Sequence, residues 1–387
     1  MPFTRDQYRD RLGRLCQELE KRGIDVLYLT SPPNLCYLSG YEAVWYPPRL
    51  PLGVAVDRRA VQLVLFDWTR HEAYACSRVC CDDIVLFDYA DAPEILARTF
   101  RARGWARRVV GLERWSPTPC APVMAAVTDR LRDEGAQLVS GDWIVDELRL
   151  YKSPAELERI RRAAAIADAA MRVLQRDLKP GMTEIEVSTH LTVLLARYGS
   201  EIAATPPLVN SGPTAWADTH SFPSNRALEV GDTVAVDCCG VIDRYHANLG
   251  RTFALGSPHP RAREILELAA DSVLELQRTA RLGEGPESAA AAASGYVRER
   301  IPARNIWWVG GYSLGIAMPP SWVGHTYLAN DGPQRCRLLP GYVTNYETVF
   351  IDREAGFEAA CIDTLIMTDA GLEVLSSVPR GLLEVPV

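Results

Sequence analysis

Apolar residues recur with two different periods along the chain, and the switch between them marks out its elements. Thr4 and Gln7 form a capping-box pattern ahead of an amphipathic run, Tyr8, Leu12, Leu15 and Leu19, which predicts a helix ending at Gly23. The uninterrupted apolar run IDVLYLT then predicts a buried strand, and SPPN a turn after it. Further β-rich runs at 52–56, 61–66, 84–87 and 109–112 alternate with helical patterns at 92–103 and 122–134, so residues 1–150 read as a small α/β domain. At LRLYKSPAELERIRRAA, Ser153 stands as an N-cap with Pro154 in the first helical position and Glu156 behind it. That helix is predicted to run through Ala163, Ala167 and Met171 to Leu178, where KPGM breaks it, and Thr183 with Glu186 opens a second one. Strands follow Tyr198, two more helices are predicted at about 259–281 and 286–300, and strands return from Gly341 onward. Residues 151–387 therefore read as a larger α+β domain.

Composition narrows the function classes. The chain has 387 residues, 48% of them hydrophobic, which suits two domains with packed cores rather than a disulfide mini-scaffold or a disordered tail. Forty-two Lys and Arg stand against 49 Asp and Glu, without a long single-sign run, so the basic stripe of a nucleic-acid binder is missing. No run approaches a membrane span, and MPFTRDQYRDRL lacks the apolar core of an export signal; a cytoplasmic protein without membrane partners is expected. The ten cysteines are scattered or adjacent (Cys80 with Cys81, Cys238 with Cys239) with no CxxC pair, which predicts reduced, mostly buried thiols.

Burying a carboxylate or an imidazole is costly unless something pairs with it, so polar residues that interrupt apolar strands are candidates for chemistry. Asp237 ends the run TVAVD, His220 lies in the loop WADTHSFPSNR, Tyr245 and His246 precede LGRTFAL, and Glu347 interrupts VTNYETVFI.

Order and spacing add a resemblance. The stretch NSGPTAWADTHSFPSNRALEVGDTVAVDCCGVIDRYHANLGRTF resembles the central signature of the pita-bread family, which includes prolidase, aminopeptidase P, methionine aminopeptidase, creatinase and ectoine hydrolase. LYKSPAELERIRRA is similar to that family's entry into its catalytic domain, and LLPGYVTNYETVFIDREAGFEAACIDTLIMTDAGLEVLS to its last two strands. The resemblance implies a pita-bread catalytic domain preceded by a creatinase-type amino-terminal domain. Metallopeptidases of the family hold two ions with two Asp, one His and two Glu; here those positions carry Asp237, Asn248, Tyr312, Glu347 and Ile362. An amide, a phenol and an isoleucine leave too few anionic oxygens for a pair of hard cations, so no metal and no other cofactor is expected. His220 matches the histidine that creatinase uses as acid and base.

Within this metal-free branch, GYSLGIAMPPSW, DRYHANLGRTF and SGYEAVWYPPRL resemble ectoine hydrolases, which implies hydrolysis of a C–N bond in a small cyclic amidine or guanidino amino acid. A zwitterionic substrate of that kind asks for an anion, an aromatic wall and an arginine. Glu347 and Asp237 are candidates for the first, Trp45, Trp216, Tyr312 and Trp322 for the second, and Arg251 or Arg49 for the third. Tyr245, His246 and Asn248 complete the set of candidate binding residues. His220 is expected to deprotonate water and then protonate the departing nitrogen. The resemblance also implies a homodimer in which the loop Trp45–Arg49 completes the partner's pocket. Rival readings are a Xaa-Pro-type metallopeptidase with altered ligands, a lyase or cyclase of a biosynthetic pathway, and a non-catalytic binding domain.

Overall fold

The computed structural model describes residues 2–257, 259–324 and 336–387. The chain divides into two compact units, Met1–Arg149 and Leu150–Val387.

In the first unit the order is α1 (Arg5–Lys21), β1 (Val26–Leu29), α2 (Pro32–Ser39), β2 (Gly53–Asp57), β3 (Gln62–Trp68), α3 (Glu72–Arg78), β4 (Asp83–Phe87), α4 (Ala92–Ala102), β5 (Val109–Leu112), α5 (Ala121–Asp133), β6 (Gln137–Ser140) and α6 (Ile144–Leu150). The expected capping box opens α1, with the Gln7 N–H donating to Thr4 Oγ1 and the Thr4 N–H to Gln7 Oε1. The predicted turn at SPPN is instead the start of α2. Proline is tolerated in a first helical turn, whose N–H groups have no intrahelical partner. Two N–H groups just ahead of it, those of Thr30 and Ser31, donate to the buried Glu113 carboxylate at 2.7 and 2.6 Å. The six strands form one mixed sheet in the order β4-β3-β2-β1-β5-β6.

The second unit opens with α7 (Pro154–Asp177) and α8 (Glu184–Arg197), both with the capping boxes the sequence predicts. It continues through β7 (Leu208–Ser211), the short α9 (Ala215–Asp218), β8 (Thr233–Ile242), β9 (Tyr245–Leu255), α10 (Pro260–Thr279), α11 (Pro286–Arg298), β10 (Ile306–Gly310), β11 (Val343–Asp352), β12 (Phe357–Thr368), β13 (Gly371–Val374) and β14 (Leu383–Val385). Six of these strands run in the order β10-β11-β12-β9-β8-β7, with β13 added to β12 and β14 to β9. Two long hairpins dominate, β8–β9 and β11–β12. The first turns on Asp243 and Arg244, both with positive φ, as a tight two-residue hairpin requires.

The hairpins meet at a narrow seam where Ile362 faces Gly250. On either side of that pair, threonine hydroxyls take the place of ladder bonds. Thr252 Oγ1 accepts from the Ala360 N–H and donates to its carbonyl, at 2.8 and 3.0 Å; Thr364 Oγ1 does the same with Asn248, at 2.8 and 2.9 Å. A side chain at Gly250 would run into Ile362, and one at Gly240 into the backbone carbonyl of Ala163 on α7; both glycines permit close approach. One face of the sheet is covered by helices. Val234, Val236, Cys238 and Leu249 pack with α7 and α8, and Phe350, Ala359, Cys361 and Leu365 with α10 and α11. The opposite face carries the site.

No helix among the described residues is long and apolar enough to cross a membrane. All ten cysteines are free. Five are buried, and Cys76 is exposed, so the expectation of mostly buried thiols holds for only half of them.

Candidate active site

Strand register decides which side chains can meet. Alternate residues of a strand share a face, and directly opposed residues of paired strands share it too. Asp237 opposes Gly250, Gly250 opposes Ile362, and Ile362 opposes Glu347. By the same rule Ala235, Asn248, Asn345, Val349, Glu358 and Ala360 stand on this face. Together with residues from the loops above, it lines a cavity of about 520 Å³.

The floor of the cavity is a chain of hydrogen bonds joining two carboxyl groups. Asn248 Nδ2 donates to Asp237 Oδ1 at 2.6 Å, and Asn345 Nδ2 donates both to Asn248 Oδ1 at 2.9 Å and to Glu347 Oε1 at 2.6 Å. Both amides are further fixed. Asn345 Oδ1 accepts from the Tyr312 N–H at 2.8 Å, and Asn248 Nδ2 also donates to the Cys238 carbonyl at 3.1 Å. The Tyr312 hydroxyl lies 3.4 Å from Asn248 Oδ1 and accepts from Trp322 Nε1 at 3.0 Å. Burial pushes the Glu347 carboxyl up to about 7, although donors from Tyr312 and Asn345 pull it back. Burial raises Asp237 as well, with the Glu347 charge adding to it and the Asn248 bond opposing. Two such groups resist ionising together.

These residues do not fit a pair of divalent ions. At the position where the metallopeptidases are expected to have their second Asp, Asn248 aims its N–H at Asp237 and its carbonyl at Asn345, a neutral amide in place of an anionic ligand. Ile362 brings only carbon to the cavity. Among the described residues no three His, Cys, Asp or Glu side chains gather as a metal would require.

Above the floor, His220 lines the cavity from an exposed loop, its ring edge-on to Trp307 at 4.7 Å between centroids. Its φ of 76° lies in the left-handed region, a strained conformation for a residue with a side chain and one that recurs at functional sites. The preceding residue is tied down: Thr219 Oγ1 donates to Glu358 Oε2 at 2.8 Å, and Asn210 Nδ2 reaches the same oxygen at 3.1 Å. Glu358, Asn345 and the Trp307–Trp308 pair were not among the sequence candidates. Glu358 carried the same signal as Glu347, an acid in an apolar strand at an even spacing from Ile362.

Several other candidates sit elsewhere. Arg251, expected to bind a carboxylate, faces the covered side because it is one residue from Gly250; it is fully buried, pairs with Asp363 at 2.8 Å and donates to the carbonyls of Gly250, Ile362, Val378 and Pro379. Tyr245 also faces the helices and donates to Glu156 Oε1 at 2.7 Å. His246 is buried at the hairpin end, where Nε2 accepts from the Ala204 N–H at 3.0 Å and Nδ1 meets the Arg244 carbonyl at 2.8 Å; burial lowers it to about 3 and keeps it neutral. Trp216 lies under the Arg353 guanidinium at 4.7 Å rather than in the cavity lining. Trp45 and Arg49, expected to reach a partner subunit's pocket rather than this one, belong to the first unit of the chain, where Trp45 stacks on Trp68 and Arg49 lies over Tyr89.

A pita-bread domain behind a creatinase-type amino-terminal domain defines a class of hydrolases. The chain belongs to that class: residues 158–369 match Metallopeptidase family M24, and residues 11–151 match the Creatinase/Prolidase N-terminal domain. It is similar to the ectoine hydrolase of Halomonas elongata, 26% identical over 99% of this chain and 98% of that one. Similarity to the Xaa-Pro dipeptidase of Pyrococcus furiosus is nearly as great, 25% over 97% and 100%. Among solved structures, the X-Pro aminopeptidase of Thermotoga maritima superposes with a TM-score of 0.82 at 19% identity over 97% of this chain and 99% of that one. The dipeptidase PepE of Mycobacterium ulcerans gives 0.81 at 22% over the whole of both chains. Both share the fold.

Proposed function

We propose that the protein hydrolyses a C–N bond in a cationic amidine or guanidino compound without a metal, as an enzyme of the ectoine hydrolase kind. The observation that carries this reading is the amide-linked pair Asp237 and Glu347, two carboxyls raised by burial at the floor of an aromatic cavity with an imidazole in its wall. A protonated amidine is already electrophilic at its central carbon, so water can add without a Lewis acid. His220 takes a proton from the attacking water as the C–O bond forms. Glu347, held by Asn345 and Tyr312, pairs with the positive nitrogens, and His220 returns the proton to the nitrogen whose bond to carbon breaks. As the carbonyl forms, the proton of the new hydroxyl passes to the departing amine; an amidine then gives an amide and an ammonium, a guanidine a urea and an ammonium. A neutral peptide bond gains nothing from an anionic floor, which makes this site a poor peptidase.

Chelator-treated protein incubated with ectoine, hydroxyectoine, creatine and a Xaa-Pro dipeptide, with products followed by mass, tests the reading. Turnover of an amidine or guanidine that is lost in His220→Ala is expected. Cleavage of the dipeptide alone, restored by manganese, would instead make this a metallopeptidase, the activity named for the Pyrococcus relative.

A further inference from the structure

The cavity differs from what a compact zwitterion needs. Its charged lining is acidic: Asp237, Glu347 and Glu358 all reach it, and among its described lining residues there is no Lys or Arg. Of the two arginines expected to hold a substrate carboxylate, Arg251 is consumed by Asp363 and four backbone carbonyls on the covered side of the sheet, and Arg49 lies over Tyr89 in the first unit. A substrate carboxylate desolvated here would meet like charge, with no counter-ion among the described lining residues. The remaining wall is aromatic and apolar. Trp307, Trp308 and Trp322 line it with Leu208, Val349 and Ile362, and at about 520 Å³ it lies within the roughly 300–1,000 Å³ range of pockets that enclose drug-sized ligands. Indole faces bind organic cations and flat apolar groups alike.

From this we infer that the site selects a singly charged organic cation, an amidine or guanidine carrying an aromatic or bulky apolar body, over a small zwitterionic amino acid such as ectoine. The cationic end sits on the Asp237–Glu347 floor and the body lies between the tryptophans. This deepens the functional reading above and rests on it only for the identity of the site.

Binding separates the two. Calorimetric titration of the full-length protein with benzamidine, acetamidine, 4-amidinobenzoate and ectoine varies the body and the carboxylate one at a time. Benzamidine is expected to bind at least tenfold more tightly than each of the other three. Glu347→Gln and Trp322→Ala, checked for an unchanged circular dichroism spectrum, should each weaken benzamidine by tenfold or more without a matching loss for 4-amidinobenzoate. Equal or tighter binding of ectoine or 4-amidinobenzoate overturns the inference, as does benzamidine affinity that both folded variants leave unchanged. Ectoine turnover with no benzamidine binding sinks the inference and leaves the hydrolase reading standing; the stated binding order with no hydrolysis of any amidine does the reverse.

Discussion

Glu347 is the residue on which charge and chemistry converge. Its carboxyl, raised to about 7, is largely protonated below neutrality and anionic above it. Association of a permanently charged amidinium therefore strengthens as pH rises through about 7, because only the ionised form pairs with it. In Glu347→Gln that rise should flatten and kcat/KM should fall by at least a hundredfold with the fold intact; near wild-type turnover would reduce Glu347 to a packing group. Asn248 tests the floor from its other end. Asn248→Asp removes the N–H that Asp237 accepts and places a third acid beside two that already resist ionising. A loss of about 1–3 kcal/mol in stability at pH 8 is expected, read by urea unfolding, and a much smaller loss at pH 5 where the added acid can hold a proton.

At the scale of elements, the seam between β9 and β12 holds the two hairpins at the spacing the floor needs. A methyl group at Gly250 would come within 2.6 Å of Ile362 Cδ1. Gly250→Ala should destabilise the protein, and Ile362→Ala should relieve part of that loss, giving a double-mutant coupling of about 1 kcal/mol or more in thermal or urea unfolding. Strict additivity would show that the seam relaxes elsewhere. One residue further on, Arg251→Ala leaves Asp363 short of a partner and several carbonyls without a donor, a loss of about 3 kcal/mol or more. Affinity for a substrate should not change in whatever fraction folds, since the side chain lies on the face of the sheet opposite the cavity. These neighbours show what the sequence could and could not reveal. The capping boxes at Thr4, Ser153 and Thr183 and the apolar runs of the long strands were legible because local pattern decides them. Asp237 and Glu347 stood out as acids in apolar strands, and the register puts both on one face. His246 stands out by the same rule and is buried, but at the hairpin end rather than in the cavity. Arg251, a candidate only for the substrate it was expected to hold, lies on the covered face, one residue from Gly250, whose partner Ile362 is more than a hundred residues away. Glu358 carries the same local signal as Glu347, an acid in an apolar strand, but its hold on Thr219 and Asn210 comes from contacts that no local spacing encodes. SPPN read as a turn because proline breaks helices, yet in a first turn it starts one.

Across the whole molecule the titrating groups set a pH dependence with a definite sign. Glu113 in the first unit, with Asp237 and Glu347 in the second, has a carboxyl raised by burial, so the folded state keeps protons that the unfolded chain has already released. Stability from such groups is present below the unfolded carboxylate range, near pH 4, and is lost as pH climbs through the folded values. Ion-paired acids work the other way. Glu18, Asp25 and Glu373 are held below their usual range by arginines, and their contribution is present above about pH 4 and lost as pH falls below it through the folded values. With a formal charge of −7 adding self-repulsion toward alkaline pH, maximal stability belongs on the acid side of neutrality, near pH 5 to 6. For Glu347, a shift from 4.5 to about 7 corresponds to at most about 3 kcal/mol lost between those limits. Glu347→Gln keeps an oxygen for Asn345 but cannot ionise. Its unfolding free energy should therefore match that of the wild type near pH 5 and exceed it at pH 8, measured by urea titration at both values. The same amidinium that binds the floor should raise wild-type stability most at pH 8, because it neutralises the charge that the fold otherwise carries uncompensated. A variant no more stable than the wild type at pH 8 would mean that water or a neighbouring group already compensates the ionised carboxylate, and the alkaline limb would then belong to Glu113 and Asp237.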